Sequence, residues 1–515
     1  MERPGTETQD AGADEGLSFT SSQGRWVIAA VVLGSGIAGL DATVVSIALP
    51  TIGRAFHSGV GTLQWVVSGY SLTLAAFLLL GGSLGDRLGR KRIFSFGIVW
   101  FAIASMACGL APNAGFLIAA RVVQGIGGAL LAPASLAILQ ASFRPQDRSR
   151  AIGAWSGLGG VATAAGPLLG GYLILASWRW VFFINLPVSA AVLVMTARHV
   201  PETRDPSTTG HLDLVGAGLA VIFLAGLTYG LIDGPGHGWT SPLVLVALIG
   251  AAVAGPVFLL VEHVRANPML PLGVFRTRQF SGANAVTFIV YGALGGAFFL
   301  LPVELQIVVH YSPLESGLAL LPVTVIMLIF SARSGQLATR IGPRLQMSAG
   351  PFVVGAGLLL LVRATHQGNY LVEVLPAVLV FGIGLAITVA PLTATAMASA
   401  PAEHAGVASA VNNVVARAAG LLAVAILPLL AGITGAAALE PHRLAAGFKT
   451  AVIIAGLTCA AGGILAVATI RNPPDAARAR AHHRYPRRYH CAVDGTPLEP
   501  PEAAGAAAGP AAGAA

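Results

Sequence analysis

Fourteen long apolar runs separated by short polar turns leave this chain few ways to fold. They lie near residues 26–49, 62–81, 93–111, 115–138, 151–175, 181–198, 212–232, 242–262, 280–303, 315–333, 345–363, 371–398, 405–430 and 447–470. Each comes close to or exceeds the roughly 20 residues that a helix needs to cross a bilayer core. The runs are continuous and do not alternate, which favours helices over the strands of a barrel. Only 10% of the residues are charged and 55% are hydrophobic, too few polar groups to cover a water-soluble body. The chain is therefore expected to be an all-α, multi-pass membrane protein.

The net charge of +8 raises a nucleic-acid reading. The basic residues fall in alternate loops and form no single face, so sidedness explains them better. With both termini in the cytoplasm, 23 of the 30 Lys and Arg residues lie inside, 5 outside (Arg54, Arg179, Arg363, Arg443 and Lys449) and 2 within spans. Trp178, Trp180, Phe182 and Phe183 around Arg179 then read as an outer aromatic belt. Three cysteines, two of them in apolar runs, give no disulfide framework. No metal-ligand spacing, phosphate loop or nucleophile elbow is present, so neither an enzyme, a cofactor nor a resident metal is expected. His482, His483 and His490 sit in a basic tail.

A short stretch organises the rest. Gly81 to Arg92, GGSLGDRLGRKR, forms the turn between the second and third runs. A weaker copy recurs at a constant offset of 253, where Gly335, Leu337, Arg340 and Gly342 repeat Gly82, Leu84, Arg87 and Gly89, and Thr339 replaces Asp86. One half of the chain repeats the other. Spans one to six then correspond to spans nine to fourteen, and spans seven and eight are an insertion. The domain reading is a disordered cytoplasmic tail at 1–24, a six-helix bundle at 25–200, two inserted helices and a basic connector at 201–278, a second six-helix bundle at 279–470, and a disordered cytoplasmic tail at 471–515.

The stretch resembles the signature loop of the major facilitator superfamily, carried here by Gly82, Leu84, Asp86, Arg87, Gly89, Arg90 and Lys91. The fourteen spans resemble its drug:proton antiporter branch. Leu40 to Pro50 is similar to the family's first-helix motif, and Gln64, Trp65 and Tyr70 to the opening of its second helix. Arg121, Gln124, Gly125 and Gly127 match an Arg-x-x-Gln-Gly motif, and Gly157, Gly166, Pro167, Gly170 and Gly171 fall in the antiporter motif. The resemblance implies a major facilitator fold that exchanges protons for a small amphipathic compound by alternating access. It places the protein, as a monomer among membrane lipids, in a bacterial cytoplasmic membrane. The alternative on the same scaffold is a proton symporter that imports a nutrient.

Read physically, Gly153, Gly157, Gly160, Ala164, Pro167 and Gly171 make one stripe down a helix, against which another helix is expected to lie. Charges inside spans are costly and mark function. Asp41 and Arg121 lie at similar depth and either pair or share a water-filled cavity, as a proton-coupling site or as an ion pair that only fixes packing. Arg417 shares a face with Ser409, Asn413 and Gly420. It is read either as a snorkelling or carbonyl-bound arginine or, with Gln124 and Asn413, as part of a substrate cavity. No acid is expected within the spans of the second half, Glu304 and Glu315 being read as loop-flanking. Divalent cations are therefore expected to be poor substrates. In the loop, Asp86 and Arg87 are read as a cytoplasmic latch, with a basic topogenic turn as the bland alternative.

Overall fold

The computed structural model describes residues 16–204, 212–265, 268–364, 369–399 and 405–472. Among the described residues, 14 helices are long and apolar enough to span a membrane. They are α1 Ser22–Ala55, α2 Val60–Leu88, α3 Arg90–Gly109, α4 Ala114–Ser142, α5 Pro145–Ile174, α6 Trp180–His199, α7 Leu214–His237, α8 Pro242–Val264, α9 Arg278–Ile307, α10 Pro313–Ile341, α11 Pro343–Arg363, α12 Tyr370–Ala398, α13 Val407–Leu430 and α14 Pro441–Thr469. Residues 1–15 and 473–515, including His482, His483, His490 and Cys491, lie outside the described residues.

The reading of 1–24 as a disordered tail needs correction at its end. Leu17 and Phe19 are apolar enough to pack against the first bundle's core. The Leu17 N–H donates to the Ser142 carbonyl over 2.8 Å and the Phe19 N–H to Asp147 over 3.0 Å. Ser21 then caps α1 by accepting from the Gly24 N–H. The aromatic belt also needs correction. Trp180 is 51% exposed, whereas Trp178 and Phe182 are core residues set edge to face.

The repeat is present in the backbone. Both ends of α2 and α10 differ by the offset of 253. Gly89 and Gly342 follow them with φ of 111° and 87°, a region that a Cβ disfavours. His57 and His310, at the same offset, share left-handed φ of 49° and 62°. Packing repeats as well: α1 on α5, α2 on α4 and α3 on α4 recur as α9 on α13, α10 on α12 and α11 on α12. Two six-helix bundles result, α1–α6 and α9–α14. The inserted pair α7–α8 packs on itself, and α7 leans on α2 and α13. Leu224 joins Leu72, Ala75, Ala76 and Leu421 there, and Trp65 Nε1 donates to Asp233 over 2.7 Å.

Prolines inside spans free carbonyls that lipid cannot satisfy. Pro167 frees that of Thr163, and the Thr43 hydroxyl of α1 sits 3.1 Å from it. Pro391 frees that of Ile387, to which Ser334 donates over 3.2 Å.

The bundles meet along α2–α13, α5–α10 and α1–α9. Their identified contacts lie away from the end bearing Gly89 and Gly342, the basic end. Gln64 donates to the Val424 carbonyl over 2.8 Å and Gln306 to the Ile47 carbonyl over 2.9 Å. A Cβ on Gly171 would lie 2.7 Å from Leu314 Cα, and one on Gly317 would strike the Pro167 carbonyl. Toward the basic end, a Cβ on Gly153, Gly157 or Gly160 meets nothing within 4 Å. The expectation of a helix along the whole stripe is thus corrected: Pro167 and Gly171 press on α10, while the basic half of the stripe faces open space.

Candidate functional site

The first bundle holds a closed polar cluster in its apolar interior. Asp41 on α1 pairs with Arg121 on α4, and each is 1% exposed. Arg121 Nη1 also donates to Gln124 Oε1 over 2.6 Å, and its Nε to the Val66 carbonyl over 3.0 Å. The other Asp41 oxygen accepts from Gln124 Nε2 at 3.0 Å and from Asn185 Nδ2 at 2.9 Å. Ser105 Oγ lies 2.9 Å from Asn185 Nδ2 and donates to the Phe182 carbonyl over 2.9 Å. The Tyr70 ring stands 4.3 Å from the Arg121 guanidinium, and its hydroxyl donates to the Ala38 carbonyl over 3.2 Å.

These partners come from α1, α2, α3, α4 and α6, so the cluster depends on the packing of the whole bundle. A buried ion pair survives only when such hydrogen bonds fill its remaining valences. The carboxylate accepts three donors here. Asn185 Oδ1 alone remains buried without a partner. Asn185 and Ser105 were not singled out in the sequence; their signal was faint, two polar residues in apolar runs. The structure brings Asp41, Arg121 and Gln124 together and, in this arrangement, buries Gln124 wholly against Asp41, apart from Asn413 and Arg417.

In this arrangement, with the halves in contact away from the basic end, the bonds of Asp86 stay within its own loop. Asp86 accepts two bonds from Arg90, at 2.9 and 2.8 Å, within the same turn. Arg87 Nε is buried without a partner. Gly82 packs on Pro133, and Gly89 leaves room for Glu202, which accepts from the Lys91 N–H over 3.1 Å. Asp86 thus closes the turn by the i,i+4 geometry its spacing allows, leaving none of its charge for the other bundle.

The antiporter motif divides between two partners. Gly166 and Gly170 lie against Thr43 and Val44 of α1, whereas Pro167 and Gly171 lie against α10. Gly157 meets neither. In the second bundle Glu304 corrects the expectation that no acid enters the membrane there: it lies inside α9 and is 1% exposed. Asn412 is buried and donates to Asn284 and Thr287 of α9, whereas its neighbour Asn413 is exposed. Arg417 lies one turn beyond Asn413 and is half-buried.

A family model for the major facilitator superfamily matches residues 31–424. "Multidrug resistance protein Stp" of Mycobacterium tuberculosis is 37% identical over 405 residues, covering 78% of this chain and 75% of that protein. "Tetracenomycin C resistance and export protein" of Streptomyces glaucescens is 35% identical over 443 residues, covering 82% and 80%. "Methylenomycin A resistance protein" of Streptomyces coelicolor is 37% identical over 388 residues, covering 75% and 81%. Among solved structures, a bacterial homologue of the human lysosomal transporter Spinster aligns with a TM-score of 0.59 at 16% identity, covering 88% of this chain and 100% of that one. A bacterial homologue of the human peptide transporters PepT1 and PepT2 aligns with a TM-score of 0.61 at 14% identity, covering 90% and 100%. Those two likenesses carry the fold alone.

Proposed function

The chain belongs to the major facilitator superfamily, and from that premise we propose that it exports small amphipathic compounds across a bacterial cytoplasmic membrane in exchange for protons. The basic end faces the cytoplasm, because Arg87, Arg90, Lys91, Arg92, Arg340 and Arg344 gather there. Both termini lie on that side. The protein works as a monomer among lipids, with no nucleic acid and no cofactor beyond the coupling proton. Relatives named for resistance to, or export of, antibiotics support the outward direction.

The observation that carries the proton reading is the sealed Asp41–Arg121 pair. Asp41 takes a proton from the outer side when the bundles part there, and Arg121, its counter-charge gone, is then held by the contacts it already makes with Gln124, the Val66 carbonyl and the Tyr70 ring. Return of that proton to the cytoplasm down the gradient supplies about 2.3 kcal/mol per charge per 100 mV, plus the pH term. The α5–α10 and α2–α13 seams are the surfaces about which the bundles rock. Transport of a fluorescent amphipath in inverted vesicles with an imposed pH gradient tests this. Uptake into the inverted lumen that follows the gradient is expected. Gradient-independent transport would overturn the coupling, and transport in the same direction as the proton would indicate a symporter.

A further inference from the structure

We propose that Arg417 recognises an anionic group on the exported compound, so that the favoured substrates are amphipaths bearing a carboxylate or another oxyanion. This rests on the export reading and adds the substrate class to it. Arg417 lies near the middle of α13, 10 residues from Val407 and 13 from Leu430. At 1.5 Å per residue, about 15 to 20 Å separates it from either end of the span, too far for snorkelling.

Its surroundings place it between the bundles. Gln64 of α2 bonds the Val424 carbonyl, and Leu72, Ala75 and Ala76 of α2 pack on Leu421. Tyr70 of α2 and Tyr291 of α9 both lie within electrostatic reach of the guanidinium. On the α9 side, a Cβ on Gly295 would fall 2.6 Å from Gly420 Cα, and one on Gly420 would fall 3.9 Å from the Tyr291 carbonyl. The small residues let α9 and α13 close on each other one turn from Arg417.

The charge is uncompensated. Among the described residues Arg417 makes no ion pair and no hydrogen bond. Acids on the elements nearby are taken: Asp86 by Arg90, Asp233 by Trp65 and Asp41 by Arg121. Glu304 lies 13 residues from Tyr291 along α9, about 20 Å away. Arg121, fully buried in the first bundle, shows what a satisfied guanidinium looks like here, with a carboxylate, an amide and a carbonyl as acceptors. Arg417 has its donors free in a fork that matches a carboxylate. The exposed Asn413 amide, donating to the Ser409 carbonyl over 3.1 Å, stands one turn away toward the basic end. Tyr291, only partly buried on α9, supplies a flat wall for an aromatic or aliphatic body. Tyr70 stacks on Arg121 and lies within electrostatic reach of Arg417 as well.

The test uses the full-length protein in lipid nanodiscs and in vesicles. The probes are an anilinonaphthalene fluorophore bearing a carboxylate and its uncharged carboxamide. Wild type is expected to bind the carboxylate more tightly. Arg417→Gln weakens carboxylate binding by about ten- to a hundredfold, as loss of a charge-assisted pair implies, and leaves carboxamide binding within about threefold. Arg417→Lys, a point charge without the fork, falls between them. Equal effects of Arg417→Gln on both probes, or none on either, would overturn the subsite. Gradient-driven export with no charge preference in wild type would overturn the subsite and leave the export reading standing. Charge-selective binding without transport would do the reverse.

Discussion

Asp41 and Arg121 are 80 residues apart in sequence and meet carboxylate to guanidinium inside a single bundle, with 1% of either exposed. Every donor to that carboxylate comes from its own half. A parting of the two halves as rigid bodies therefore breaks none of these bonds. Asparagine keeps the size of the side chain and can accept from Arg121, but it cannot titrate. Asp41→Asn is expected to retain a folded protein and substrate binding while abolishing efflux driven by an imposed pH gradient. Normal gradient-driven transport by this variant would place the proton site elsewhere.

Removing the other partner has a different cost. Arg121→Ala leaves the buried Asp41 carboxyl without its counter-charge and strands Gln124 and the Val66 carbonyl, a loss of about 3–5 kcal/mol by the usual behaviour of broken buried pairs. Lower thermal stability of the purified protein is expected alongside lost coupling. Adding Asp41→Asn to Arg121→Ala should recover part of that stability, because no unpaired charge then remains. A double variant no more stable than Arg121→Ala would show that the guanidinium acts chiefly through its packing on Tyr70.

Spans, repeat and insertion were legible because length and hydropathy in lipid depend on local sequence alone, and because the offset of 253 survives in Gly89 and Gly342. Asp41 and Arg121 stood out because charge is rare in such runs. Asn185 and Ser105 did not, since a neutral polar residue in a span is common and only assembly of five helices shows what it touches. Glu304 was misread for a related reason: hydropathy ends the ninth run near 303, whereas α9 continues to Ile307 and buries the acid. The free basic half of the α5 stripe was hidden too, because glycine spacing reports the capacity for close approach and not whether a partner is there.

The charge bias gives a prediction about sidedness. A tag at either terminus is expected to be accessible from the cytoplasm only, and one inserted near Gly236, in the last turn of α7, from outside only. Impermeant labelling of intact cells and inverted vesicles reads this directly. Cytoplasmic labelling at Gly236 would refute the insertion of exactly two helices between the repeats and reassign every later span.

The seam between α5 and α10 yields the last prediction. Gly317 faces the Pro167 carbonyl so closely that a Cβ there cannot be accommodated, and Gly171 stands 2.7 Å, measured from its virtual Cβ, from Leu314 Cα. Both contacts belong to the end away from the basic loops. They exist in the arrangement seen here and are lost when that end parts. A larger side chain at either glycine therefore penalises this arrangement selectively. Toward the basic end, by contrast, Gly157 has nothing within 4 Å of a virtual Cβ, so an added methyl there is tolerated in the same state. Gly317→Val is expected to shift the population toward opening at the far end, and Gly157→Ala to leave it unchanged. His57 and His310, which line a cavity of about 580 Å³ between the halves at that end, are suitable reporters. Cysteines placed there should be labelled by an impermeant thiol reagent several-fold faster in the Gly317→Val background, and equally fast with Gly157→Ala. Unchanged labelling in Gly317→Val, with the protein folded, would show that the α5–α10 contact does not hold the far end shut.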